Sequence, residues 1–112
     1  MSDADLRYRF VIEVEKLRDY FLNPQHPIGK HKAVVAESAL GLTQSDWSWL
    51  RKEMLDTLDA QPHVFRVGRV DDFGRRLELD MRLQRGDREA VLRTVWLLEP
   101  SRTLRLVTLW IV

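Results

Sequence analysis

Between Asn23 and Lys32 the chain reads Asn23-Pro24-Gln25-His26-Pro27-Ile28-Gly29-Lys30-His31-Lys32, which sets two of its three histidines beside two lysines. Imidazole exchanges a proton near neutral pH, and ammonium groups hold phosphate. Cleavage of RNA without a metal requires a base for the 2′-hydroxyl, an acid for the leaving oxygen and a cation for the phosphorane. His26, His31, Lys30 and Lys32 offer all three. The spacing His26-x4-His31 also admits a metal, but no cysteine is present and no third ligand stands nearby. The plain alternative is a stiff connector whose histidines bond loop carbonyls and whose lysines are solvated.

A second candidate cluster is Arg93-Thr94 with Thr108. Charged or hydroxylated residues inside apolar strands need partners, and a sheet face bearing them opposite a basic helix start would form a groove. Their ordinary reading is that Arg93 faces water and that both threonines are good strand formers. Of the four tryptophans, Trp47 and Trp96 read as core, while Trp49 and Trp110 read as surface anchors able to stack on bases or hold a partner. Tyr8, Tyr20 and Asp80 show no comparable signal.

These residues need elements to position them. Residues Tyr8 to Glu13 form a short β-like run, and Val14, Leu17, Tyr20 and Phe21 recur at helical spacing up to Asn23-Pro24. The prolines predict an extended, stiff segment over 23–28. A second helix opens at Gly29, leaving the amides of Lys30, His31 and Lys32 free to meet an anion, and closes at Gly41. Thr43-Gln44-Ser45-Asp46 has the pattern of a capping box before the stripe Trp47, Leu50, Met54 and Leu58, which Pro62 ends.

Beyond Pro62 the period changes to two. Leu77, Leu79, Met81 and Leu83 alternate with charged residues, and Val64–Val70, Glu89–Leu98 and Leu104–Val112 read as further strands. Short connections make neighbours antiparallel. The expected fold is α+β, with N-terminal helices packed on a four-stranded antiparallel meander, in one domain over 1–112. Apolar content of 45% and charged content of 31% fit a folded, charged-surface protein. A net charge of +1 gives no bulk case for nucleic acid, so any case rests on local clustering of cations. No apolar leader and no membrane span is visible, so a cytoplasmic location is expected.

The segments Lys16-Leu17-Arg18-Asp19-Tyr20, Leu22-Asn23-Pro24-x-His26-Pro27-x-Gly29-Lys30-His31-Lys32-Ala33, Arg93-Thr94-Val95-Trp96 and Arg105-Leu106-Val107-Thr108 resemble a small bacterial domain family of unknown function. Members of that family occur alone, often beside a small partner gene, and at the C-termini of polymorphic toxins and phage proteins. The resemblance runs from about Val14 to Thr108 and implies kinship with the barnase, colicin and RelE-like ribonucleases. It implies a metal-independent endoribonuclease toxin that needs no cofactor, acts on RNA and is inhibited by a cognate small antitoxin or immunity protein. His26, Lys30, His31 and Lys32 would then meet Arg93, Thr94 and Thr108. The chain departs from the family at Val35 and Ala36, where aromatic residues are usual, and at Leu109-Trp110-Ile111, where Ala-Tyr-Pro is usual. A non-catalytic module binding a protein or an anion is the alternative.

Overall fold

The computed structural model describes residues 8–60 and 65–112. The elements run β1 (Arg9–Val11), α1, α2 (Lys30–Leu40), α3 (Trp47–Ala60), β2 (Arg66–Asp71), β3 (Gly74–Arg85), β4 (Arg88–Glu99) and β5 (Thr103–Ile111). Helix α1 starts as an α-helical turn (Val14–Lys16) and continues as a π-helix (Leu17–Phe21), with the Leu22 amide reaching back to the Leu17 carbonyl at 2.9 Å. The stop expected at Pro62 and the strand start expected at Val64 lie outside the described residues.

Alternation in β3 does what its sequence requires. Leu77, Leu79, Met81 and Leu83 are buried, while Arg76, Glu78, Asp80 and Arg82 take the other face. Register places Leu79 opposite Thr94, and Met81 opposite Leu92, so the core-facing positions of β4 are Leu92, Thr94 and Trp96. Phe21, Leu40, Leu50 and Met54 from the helices close over this face.

The sheet has five strands in the order β1-β5-β4-β3-β2. The expected antiparallel run is present from β2 to β5, and the α+β class holds. The sheet is nevertheless mixed, because the run after Tyr8 pairs in parallel with β5, Phe10 opposite Leu104. That partner lies more than ninety positions on, and the long connection through helices and strands makes a parallel neighbour possible.

The pairing of β4 with β5 carries one irregularity. Its register passes from Trp96 opposite Leu106 to Val95 opposite Thr108, so Val107 is an extra residue. Such a bulge re-aims the side chains around it.

Candidate functional site

The segment before α2 is a succession of hydrogen-bonded turns rather than an extended connector. The side-chain oxygen of Asn23 accepts from the Gln25 amide at 3.0 Å, the His26 amide donates to the Asn23 carbonyl, and the Lys30 amide donates to the His26 carbonyl. The short polar side chain of Asn23 thus outweighs the extending influence of the prolines. Nδ1 of His26 accepts from the amides of Ile28 (3.0 Å) and Gly29 (2.9 Å). A flipped ring would set a carbon against both donors, so the neutral ring carries its proton on Nε2.

The helix start is therefore not an open anion cradle. Besides the Lys30 amide, that of Lys32 is taken, donating to the Gly29 carbonyl at 2.9 Å. Gly29 itself serves closeness, since its φ of −81° suits any residue. A Cβ there would stand 2.5 Å from the Tyr20 carbonyl oxygen and 3.1 Å from the Tyr20 ring, so glycine lets the start of α2 lie against the π-helical end of α1.

That contact brings Lys32 to Tyr20. Lys32 Nζ donates to the Tyr20 hydroxyl at 2.8 Å and to Thr108 Oγ1 at 2.9 Å, reaching the bulged part of β5. The ammonium also lies 4.8 Å from the centre of the Tyr20 ring and 5.6 Å from that of Trp110. Among the described residues Lys32 has no carboxylate partner. Within these residues its charge is met by hydroxyl oxygens and ring faces.

Tyr20 packs edge-on against the His26 ring, with centroids 5.0 Å apart. Partial burial works to raise the phenol's pKa, but the hydrogen bonds with Lys32 and Thr108 and the charges of Lys32 and Lys16 outweigh it, leaving the phenol more acidic than ordinary tyrosine. An open cleft of about 490 Å³ lies here, and Lys16, Tyr20, His26 and Thr108 line it together with the carboxylates of Glu15 and Asp19. Asp19 is held by Arg18 at 2.9 Å and 3.0 Å.

Of the seven residues singled out in the sequence, His26 and Thr108 line this cleft, and Lys32 is tied to its wall through Tyr20 and Thr108. Lys30 and His31 are exposed on the first turn of α2. Thr94 is fully buried: its hydroxyl donates to the Leu79 carbonyl at 2.6 Å and accepts from Trp96 Nε1 at 2.7 Å. Arg93 lies on the sheet face away from the helices, in a two-point pair with Asp80 at 2.9 Å and 3.1 Å. The Arg93 hydrogen bond, opposed by partial burial and assisted by Arg66, holds the Asp80 carboxyl down to about 2.

Two residues not singled out in the sequence therefore matter, Tyr20 at the cleft and Asp80 as the counter-ion of Arg93. For Tyr20 a usable signal was its polar tip within the stripe Leu17, Tyr20, Phe21. For Thr94 it was parity with Leu92 and Trp96, which marks a core position.

The sequence matches the family described as a domain of unknown function, DUF6883, over residues 4–112. No curated protein matches it. Among solved structures, a chain of the contact-dependent growth inhibition toxin–immunity protein complex from Klebsiella pneumoniae 342 is similar with a TM-score of 0.68, over 98% of this chain and 97% of that one. At 10% identity the likeness is one of fold.

Proposed function

The chain belongs to the DUF6883 family, and from that premise we propose a toxin-like, metal-independent endoribonuclease that is held in check by a cognate immunity protein or antitoxin. The fold shared with a member of a toxin–immunity complex supports the toxin-like part of this reading and the existence of such a partner. The observation that carries the chemistry is the Lys32 ammonium, fixed between Tyr20 and Thr108 with no carboxylate partner among the described residues, beside an open cleft.

In this reading Lys32 supplies the positive charge that a phosphorane requires, already oriented before substrate arrives. The 2′-oxygen bonds to phosphorus and the bond to the 5′-oxygen breaks. Glu15 at the cleft wall takes the 2′-hydroxyl proton, and the acidified Tyr20 phenol protonates the leaving 5′-oxygen. His26 acts through Nε2–H as a donor to a phosphate oxygen, because Nδ1 is engaged by the backbone. Lys30 and His31 meet flanking phosphates from the exposed turn. Arg93 ties β4 to β3 through Asp80 on the outer sheet face, and Thr94 acts by holding the same two strands in register.

The test is cleavage of total RNA in EDTA by the wild type and by Lys32→Met, which keeps the stem and removes the charge. Wild-type cleavage that falls about 10²–10³-fold in the variant is the expected result. Equal cleavage by both, or none by the wild type, removes the reading. The second reading, a non-catalytic module for a protein or anionic ligand, draws on the carboxylates in the cleft and on the similar chain being one of two partners in its complex. Harmless high-level expression in bacteria supports that one, and growth arrest the first.

A further inference from the structure

Three of the four tryptophans serve the hydrophobic core: Trp96 is fully buried, and Trp47 and Trp49 pack against the core cluster. Trp110 is partly exposed and stands outside that cluster. Register explains why. Leu109 lies opposite Thr94 and turns to the core, so Trp110, opposite Arg93, takes the other face of the sheet. A large aromatic plane is thus placed off the core with part of its surface open to solvent.

Its neighbours are cations. Lys32 Nζ lies 5.6 Å from the Trp110 ring centre, and Arg93 shares the outer face with it, tied to Asp80, which also accepts from Arg66 at 3.1 Å. An electron-rich ring flanked by positive groups is the arrangement that holds an unpaired base and its phosphates, since every base has a face to stack and a duplex keeps its faces occupied. We propose that Trp110 is the stacking platform for the nucleobase next to the phosphate held at Lys32, which makes the substrate a single strand. This inference rests on the RNA-cleaving reading and adds its substrate class.

The experiment measures binding of an uncleavable, all-2′-deoxy single-stranded oligonucleotide and of its duplex to wild type, Trp110→Leu and Trp110→Phe. The single strand is expected to bind about tenfold tighter than the duplex to the wild type, with that preference lost in Trp110→Leu and kept in Trp110→Phe. Steady-state cleavage of RNA should show KM raised in Trp110→Leu with kcat unchanged. Should Trp110→Leu fold poorly, quenching of wild-type fluorescence by the oligonucleotide that is missing in Trp110→Phe reports the same contact. Unaltered single-strand affinity in a folded Trp110→Leu overturns the platform, as does equal affinity for single strand and duplex. Trp110-dependent binding without any RNA cleavage would sink the catalytic reading and leave the platform standing. Lys32-dependent cleavage that ignores Trp110 would do the reverse.

Discussion

The two ends of α2 are built from similar parts and do different things. Each has a glycine, a loop side chain that meets the backbone and a long cation that bridges α2 to another element. At the C-terminal end Gly41 takes φ 68°, and Arg85 from β3 donates to the carbonyl of Gly41 at 2.7 Å and to Asp46 at 3.2 Å. Asp46 in turn closes the capping box with Thr43, and the Arg85 guanidinium lies 5.1 Å from the centre of the Trp49 ring. The Arg85 and Arg88 guanidiniums there each meet a helix-end carbonyl, and Arg85 a carboxylate as well. At the N-terminal end Lys32 meets neutral hydroxyls and ring faces. The difference between scaffold and candidate site is an uncompensated positive charge in an otherwise finished polar cluster.

Removing these charges one at a time tests the contrast most directly. Lys32→Met has the largest expected effect, about 10²–10³-fold on RNA cleavage, with unfolding free energy lowered by about 1–2 kcal/mol as the hydrogen bonds to Tyr20 and Thr108 are lost. Gly29→Ala comes next. Its added methyl meets a backbone carbonyl that cannot yield, so unfolding free energy should drop by about 3 kcal/mol in urea titration, with activity falling as Lys32 and Tyr20 separate. Arg85→Ala should cost about 2 kcal/mol by the same titration while the folded variant cleaves RNA at the wild-type rate. Loss of cleavage without loss of stability would show that the ends of α2 had been assigned the wrong way round.

Arg93 belongs with Arg85 as a cation that has its counter-ion, and the smallest prediction tests that grouping. The Asp80 carboxyl is held to about 2 in the folded state, below its ordinary value of 3.8. Its ion pair therefore adds stability that is fully present above about pH 4 and is lost as pH falls through about 2. Asp80→Asn should lower stability at pH 7 by about 1 kcal/mol, allowing for screening by water, and the difference should close as the urea midpoints are followed down in pH. A constant gap across that range would contradict the pairing.

Local patterns in the sequence carried most of the fold. The alternation of β3, the Gly41 stop and the Thr43–Asp46 box are each realised, because each depends on residues close in sequence. Non-local facts were not legible. The parallel pairing of β1 depends on a strand at the other end of the chain, and the meeting of Lys32 with Thr108 depends on a one-residue bulge in β5 that no alternation pattern announces. The candidate site was half visible for the same reason. His26 and Lys32 stood out by type and spacing, whereas Tyr20 gains its meaning from a lysine twelve residues on. Thr94 drew notice as a polar residue in an apolar strand, and its hydroxyl is spent within the sheet.

The parallel pairing of β1 with β5 also sets an order of events. Arg105 of β5 donates to Glu13, 92 positions earlier, and the same strand supplies the Thr108 oxygen to Lys32. Contacts of such separation form late, after loop closure has been met by other structure. Until β5 pairs with β4, the cleft lacks the wall that Val107 and Thr108 give it. The strand that completes the sheet therefore also acts as a latch: the charge on Lys32 is aimed only once β5 has paired.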